Sequence, residues 1–270
     1  MRTLLAPRRL PMPQTSPEQR KRLRELAAKY ERPSFTKDDP IQFLRAATGG
    51  DNNRETTAFV AACLSYGSRK QFIPKIENIV AQAKGDVYGW VLSGKFSTFL
   101  CPTDTSSFYR LFPCARMHAL LSTLHDLLVA HGSIGAYLRN TGATNGLDAV
   151  KALCSAFGNG AVAPIVPKDA TSACKRLCLF LRWMVRDNSP VDLGLWSDWF
   201  DKRTLIIPLD VHVLRQATRL GLIRTQSASM HTALTLTSRL AEAFPDDPLK
   251  GDFALYGLGI AAPGGAADRR

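Results

Sequence analysis

A single aspartate, Asp210, stands where an apolar segment gives way to a helix. The segment 205–222 reads LIIPLDVHVLRQATRLGL, so an apolar approach leads directly to the carboxylate. A carboxylate at a helix start accepts backbone N–H hydrogen bonds and faces the positive end of the helix dipole, which keeps it ionised. Two interpretations are open: an ordinary helix cap, which contributes about 1 kcal/mol, or a catalytic carboxylate.

A lysine at the start of another helix is the second candidate. The segment 171–186, TSACKRLCLFLRWMVR, predicts a helix that Ser172 caps and that runs to Arg186. Lys175 then lies in the first turn, where the dipole opposes a positive charge, and Arg176 beside it is also positive. Both effects favour the neutral amine, which is the form in which a lysine acts as a nucleophile.

The same helix carries a basic stripe. At about 100° per residue, Lys175, Arg182 and Arg186 share one narrow face of an otherwise apolar helix. This pattern predicts either the wall of a groove that contacts phosphates or a single solvated face.

The Asp210 segment resembles the catalytic segment of the helix-hairpin-helix DNA glycosylases. In that superfamily an apolar stretch leads into V-D-T/V-H, and a turn with an arginine and often R-L-G-L follow. The matching residues here are Leu209–Val213, Arg215 and Arg219–Leu222. The resemblance implies that Asp210 is the catalytic aspartate and that His212 lies beside the phosphate of an extruded nucleotide; without it, His212 reads as a surface histidine.

Two further segments resemble the same superfamily. Residues 252–260, DFALYGLGI, resemble the helix after the catalytic one, which ends in a glycine turn. Residues 54–71, RETTAFVAACLSYGSRKQ, resemble the opening helix, serine turn and second helix, where a residue past the serine fills the gap left by the flipped base. This place falls near Tyr66 to Arg69, and Tyr66 could stack on bases or pack at the helix end.

The chain departs from the superfamily at the hairpin. The sequence G-V-G-x-K-T-A, which grips phosphate there, is absent, and Ser172–Arg176 stands in its place. Lys175 fits the position of the nucleophilic lysine of bifunctional members, but it precedes Asp210 by 35 residues, a longer gap than usual. The archaeal 8-oxoguanine glycosylases share both features and are the closer branch. The whole chain also looks like a bacterial family known only as a domain of unknown function.

A short aromatic segment, LGLWSDWF, lies between these two sites in the chain. Trp196 and Trp199 could sandwich an extruded base, or they could pack into the core, as aromatic residues at helical spacing often do. Asp192 could accept a hydrogen bond from a base edge.

Composition points to a nucleic-acid partner. The net charge is +12, and residues 1–30 carry half of it, with eight basic and two acidic residues; such a balance favours polyanions. Six cysteines without a paired CxxC indicate neither a zinc site nor a disulfide framework. They predict a reducing compartment, the cytoplasm. A DNA partner implies association with the nucleoid there. No apolar run approaches the roughly 18 residues of a membrane span.

Apolar periodicity predicts an all-α fold. We expect a flexible basic arm over residues 1–16, a two-lobed helical array around a cleft over 17–260, and a flexible tail over 261–270. The predicted helices cover 17–30, 39–47, 54–65, 69–84, 86–93, 105–111, 115–131, 132–139, 145–157, 172–186, 210–220, 228–243 and 250–258.

The resemblance implies a monomeric DNA-repair glycosylase that needs no metal or organic cofactor. Lys175 would attack the sugar C1′ and form a Schiff base, Asp210 would stabilise the positively charged sugar, and an oxidised purine is the expected lesion. The expected nucleic-acid contacts are His212, Arg182, Arg186, Arg215, Arg176 and Tyr66. Two alternatives are open: a non-catalytic DNA- or RNA-binding protein on this scaffold, and a helical protein-interaction module with a basic tail.

Overall fold

The structure, a computed structural model, describes residues 14–37, 39–158, 160–225 and 227–261. Most of this part of the chain is helical, and the fold is all-α, as the sequence predicts. The helices are α1 (Pro17–Tyr30), α2 (Ile41–Ala46), α3 (Asp51–Leu64), α4 (Arg69–Gln82), α5 (Val87–Leu92), α6 (Cys114–His131), α7 (Ile134–Asn140), α8 (Gly146–Phe157), α9 (Lys175–Val185), α10 (Val211–Arg219), α11 (Met230–Ala241) and α12 (Lys250–Ala261).

The first helix begins as the sequence predicts. The Ser16 hydroxyl accepts a hydrogen bond from the Gln19 amide, the Gln19 side chain bonds back to Ser16, and Pro17 takes the first position. Just before it, Thr15 is buried and donates hydrogen bonds to the Glu242 carboxylate. Most of the predicted basic arm (residues 1–13) and of the predicted tail (residues 262–270) lies outside the described residues.

One predicted helix is wrong. Residues 105–111 form no helix; instead β1 (Ser107–Tyr109) pairs antiparallel with β2 (Phe112–Pro113). The turn between them places Arg110 in the left-handed region, with φ at 49°. A helix cannot continue through that conformation, which costs a residue with a Cβ about 1–2 kcal/mol.

The last helix is longer than predicted: it runs to Ala261 instead of ending at residue 258, so Gly259 lies inside it. A Cβ built on Gly257 would lie 2.0 Å from Cδ2 of Tyr30, which identifies this glycine as the point of close approach between α12 and α1. A glycine inside a helix can therefore mark packing.

The helices pack in two groups. One group joins the two ends of the described chain: α1 and α10 both pack against α12. The other runs from α2 to α9, with α9 packed against α3 and α8. The start of α10 and the start of α9 meet where the two groups adjoin, because Asp210 contacts Lys175 there. Within the described residues, no helix is long and apolar enough to cross a bilayer.

Candidate active site

Asp210 occupies the cap position of α10 with an extended backbone. Its Oδ1 accepts hydrogen bonds from the amides of His212 and Val213, both at 2.9 Å. The buried side chains of Leu209 and Val213 hold the segment against the core on either side of it. With Oδ1 fixed in this way, Oδ2 points away from the helix and is available to a second group.

That second group is Lys175. Its Nζ lies 2.8 Å from Asp210 Oδ2, and the lysine and aspartate side chains are 39% and 24% exposed. The helix that carries Lys175 starts later than the sequence predicts: α9 begins at Lys175 itself. Ser172 does not cap it, because the Ser172 backbone pairs with Ser229 as an isolated bridge.

The ion pair and the helix cap together set the ionisation of Asp210. Burial alone would raise the pKa of its carboxyl, but the Lys175 ammonium and the Val213 amide hold that pKa below its ordinary value. The pair thus presents a fixed anion beside an amine that solvent still reaches. For Lys175, the negative charge of Asp210 opposes the repulsion that the dipole and Arg176 would exert.

An exposed basic stripe does exist, but it lies on α10. His212, Arg215 and Arg219 are all exposed and share one helix face at i, i+3 and i+7. In the part of the chain that the structure describes, Arg215 and Arg219 have no salt-bridge partner. Arg215 and Arg219 lie on the helix that Asp210 caps, so their positive charge flanks the Lys175–Asp210 pair.

The predicted stripe on α9 is wrong beyond Lys175. Arg182 and Arg186 are buried, with 4% and 0% exposure, and their guanidinium groups are used inside the protein. Arg182 pairs with Asp192 and Asp252, while Arg186 forms a bidentate pair with Asp247 at 2.9 and 2.8 Å. Neither side chain can contact a phosphate in this conformation.

We call these residues, with Glu31, the buried charge network: Glu31, Arg182, Arg186, Asp192, Asp247 and Asp252. Asp192 lies between the two arginines and is fully buried, so its predicted contact with a base edge is wrong. Burial would lower the pKa of Arg186, but the carboxylates around it raise that pKa above its ordinary value, so the guanidinium stays charged. Desolvation raises the pKa of Asp252, and the nearby Asp210 charge adds to the effect.

The two candidate tryptophans differ in their exposure to solvent. Trp196 is 4% exposed, packs edge-on against Phe180 and donates a hydrogen bond from Nε1 to Glu55 Oε2 at 3.0 Å, so its predicted base contact is wrong. Trp199 is partly exposed, and Arg139 lies 4.5 Å above its ring. A buried tryptophan needs a hydrogen-bond acceptor for its indole N–H, and Glu55 provides that acceptor for Trp196.

Tyr66 and Arg176 form a small cluster with the β1–β2 hairpin. Tyr66 is 39% exposed, and the guanidinium groups of Arg110 and Arg176 lie 5.0 and 5.9 Å from its ring. Arg176 also donates to the carbonyls of Cys63 and Pro164. Leu111 at the hairpin turn is 70% exposed. The cluster is next to Lys175 in the chain and offers an aromatic face between cations.

Some residues of this region are not evident from the sequence. Glu55 and Cys174 are examples: Glu55 is a buried carboxylate inside a helix that reads as packing, and Cys174 reads as a core residue. The structure places Cys174 in the left-handed region, φ 45°, at the cap of α9. No local pattern marks Glu55, because its partners Ile134, Gly135 and Trp196 lie far away in the chain.

These features define an all-α protein with an amine–carboxylate pair at two adjoining helix starts. The chain belongs to the family described as "Protein of unknown function (DUF2400)", whose model matches residues 39–261. Neither a curated protein nor a solved structure matches the chain.

Proposed function

We propose that this protein is a DNA glycosylase with lyase activity, in which Lys175 and Asp210 excise a damaged base. The observation that carries the proposal is the 2.8 Å contact between Lys175 Nζ and Asp210 Oδ2. It brings together an amine and a fixed anion that are 35 residues apart in the chain. Such a reaction needs both groups at one sugar carbon, within reach of a shared nucleotide.

In the proposed reaction the target nucleotide is first turned out of the duplex. Lys175 gives up a proton, and its neutral amine attacks C1′ while the N-glycosidic bond breaks and the electron pair leaves with the base. Asp210 accepts the proton and passes it to the departing base, so that its carboxylate is ionised again and stabilises the positive charge that develops on the sugar. Opening of the sugar ring then gives a Schiff base, from which elimination cleaves the strand.

The surroundings support a polyanionic substrate. His212, Arg215 and Arg219 project from α10 beside the pair, and Tyr66 lies next to the start of α9 with an aromatic face for a base. Duplex DNA is the proposed partner and an oxidised purine the proposed lesion, by resemblance to the archaeal branch. The proposal includes a monomer that acts in the cytoplasm at the nucleoid.

Borohydride trapping on a panel of lesion-bearing duplexes tests the proposal. A covalent adduct forms with at least one lesion if an amine makes a Schiff base. Lys175→Gln abolishes that adduct. Asp210→Asn keeps the shape of the cap but lowers base excision by a factor of about 10² or more, the scale of one preorganised electrostatic group.

Lys202→Gln is the matched control. Lys202 also forms a partly exposed pair with an aspartate, Asp187, but at the opposite end of α9. It should trap and excise like the parent. Excision by Asp210→Asn at the parental rate would reduce Asp210 to a helix cap and end the proposal.

A binding-only protein is the second candidate. Lys175 and Asp210 satisfy each other, and an ion pair of this kind can also be structural. In that case no lesion gives an adduct, whereas duplex affinity still falls steeply with salt. Arg215→Gln then weakens binding and lowers the salt slope by about 1. The chain with Arg2, Arg8 and Arg9 changed to Gln measures the contribution of the N-terminal charges.

A further inference from the structure

The β1–β2 hairpin presents an apolar side chain at its tip. Leu111 is 70% exposed, more than any other large apolar side chain in the part of the chain that the structure describes. The strands behind it are anchored in the core, because Phe108, Tyr109 and Phe112 are all buried. Only the tip of a firmly held hairpin therefore reaches solvent, and the proposed function gives Leu111 no role.

Hydrogen bonds hold the tip in one shape. Ser107 Oγ donates to the Arg110 carbonyl at 3.0 Å, and Arg116 Nη1 donates to the Leu111 carbonyl at 2.8 Å. Arg116 is itself held, since its Nε donates to the Ala161 carbonyl at 2.9 Å. The backbone at the tip is thus ordered before any partner arrives, which lowers the entropic cost of binding one.

The residue before Leu111 is an arginine in an unfavourable conformation. Arg110 has φ at 49°, where a hairpin turn favours glycine, asparagine or aspartate. The side chain of Arg110 is exposed, and its guanidinium lies 5.0 Å from the ring of Tyr66. The hairpin therefore keeps a cation at its tip where a smaller residue would be less strained.

Three arginines surround the tip with only neutral partners. Arg110 donates to Gln71 Oε1 at 3.3 Å. Arg116 and Arg176 each donate to two backbone carbonyls. Within the described ranges none of the three forms a salt bridge, so no carboxylate neutralises their charge. Such a positive surface attracts a polyanion.

The hairpin lies close to the Lys175–Asp210 pair. Arg176 follows Lys175 in α9, and its guanidinium lies 5.6 Å from the ring of Phe112, the residue after Leu111. A single arginine side chain thus connects the start of α9 with the hairpin. A duplex that brings a nucleotide to Lys175 must therefore pass the hairpin tip.

We propose that Leu111 is an apolar wedge that enters the base stack of duplex DNA beside the nucleotide held at Lys175. Arg110, Arg116 and Arg176 attract the phosphates around it. A wedge of this kind unstacks one base step and kinks the duplex, and a nucleotide with an unstacked neighbour is turned out at a lower cost. The choice of duplex DNA rests on the proposed function, but the wedge needs no chemistry from Lys175 or Asp210.

The fluorescence of 2-aminopurine, a base that brightens when it is unstacked, tests the wedge. The probe is a duplex in which tetrahydrofuran, a stable abasic-site analogue, replaces one nucleoside, and 2-aminopurine is placed in turn on either side of it. We expect the parent protein at saturation to raise the fluorescence several-fold in at least one of these duplexes. Leu111→Ala should lose most of this rise, and Leu111→Met should keep it.

Val129→Ala is the matched control. Val129 is also a highly exposed apolar residue, at 63%, but it lies on α6. The variant should brighten the probe as the parent does. Leu111→Ala should unfold at the parental temperature, since an exposed side chain packs against little, so a loss of brightening reports on DNA and not on folding.

Arg110→Asn separates a binding role of the arginine from a structural one. Asparagine adopts a positive φ with less strain, so this variant should unfold at the parental temperature or above it. Its affinity for the same duplex should depend less on salt, with a slope lower by about 1. A lower unfolding temperature with an unchanged slope would assign Arg110 to packing on Tyr66 and refute its part in the proposal.

Three results would overturn the wedge. They are full brightening by Leu111→Ala, no brightening by a parent that binds the probe, and a parent that binds no duplex at low salt. Self-association that Leu111→Ala removes, measured by sedimentation velocity, would identify the tip as a protein contact instead. The probe has no base to excise, so a chain that gives no borohydride adduct with any lesion would refute the proposed function and leave brightening of this probe unaffected.

Discussion

The two ends of α9 use the same kind of charge in opposite ways. At its start, Lys175 is 39% exposed and faces one carboxylate. Further along, Arg182 and Arg186 are almost completely buried, and four carboxylates surround them. The three cations lie on one helical stripe, so their sequence positions predict one shared role.

Depth in the protein separates these roles. A half-exposed pair costs little to form and leaves a reactive amine within reach of a substrate. Fully buried charges are tolerated only with matched partners, since each loses its hydration, and they then fix the elements that carry them. The buried charge network joins α9 to α12, to the end of α1 and to the segment before α10.

The largest expected effect is the loss of stability caused by a substitution in the buried charge network. Arg186→Met leaves Asp192, Asp247 and Glu31 without their shared cation, and the free energy of unfolding should fall by about 3–5 kcal/mol. Lys175→Met is the comparison, with a loss of no more than about 1 kcal/mol. Urea unfolding of both variants measures the difference. Equal losses would show that the two ends of α9 do not differ in this way.

A buried carboxylate without a guanidinium partner sharpens the comparison. Glu55 accepts hydrogen bonds from Ile134, Gly135 and Trp196, and burial raises its pKa to about 7. The folded state binds the Glu55 proton more tightly than the unfolded state does. The stability that protonated Glu55 contributes is therefore complete below pH 4.5 and is lost as the pH rises to about 7. Over this range the free energy of unfolding should decrease by roughly 3 kcal/mol.

Urea unfolding across that pH range, with Glu55→Gln as the reference, isolates the effect. Gln does not titrate, so the difference between the parent and the variant should change with pH. A constant difference would place the titration of Glu55 outside this range.

The packing of α1 on α12 gives the next effect. Gly257→Ala drives a Cβ into Tyr30, and we expect a loss of about 1–3 kcal/mol from the strain. Gly259→Ala is the control on the same helix, where the new Cβ meets Gln216 at an ordinary 3.7 Å. It should be neutral or stabilise by up to about 1 kcal/mol, because alanine favours a helix. Thermal unfolding compares them, and a neutral Gly257→Ala would contradict the close approach.

The smallest effect concerns the stability of the proposed site itself. The pKa of Asp210 is lowered, so its contribution to stability is present above pH 3.8 and is lost as the pH falls through the folded-state pKa. Asp210→Asn should therefore be less stable than the parent at neutral pH, by under about 1 kcal/mol, because Asn also caps a helix. The difference should vanish in acid. A difference that persists there would mean that the charge of Asp210 adds nothing to stability.

Much of the fold could be predicted from local sequence. Ser16 and Pro17 mark the start of α1, and Asp210 caps α10, because these signals act on backbone groups a few residues away. The hairpin at 107–113 was predicted wrongly as part of a helix, and α12 was predicted three residues too short. In the hairpin a contact with a distant residue helps to set the conformation, because the Tyr109 hydroxyl donates to the Tyr66 carbonyl.

The helical class, the basic balance and an aspartate fixed at a helix start all follow from the sequence, since periodicity, charge and capping are local properties. Which cations reach solvent depends on how the elements pack. Arg186 meets Glu31 and Asp247 across 155 and 61 residues of chain, and Lys175 meets Asp210 across 35. The free energy of a charge depends on its burial and its partners, and both exist only once the distant elements have packed.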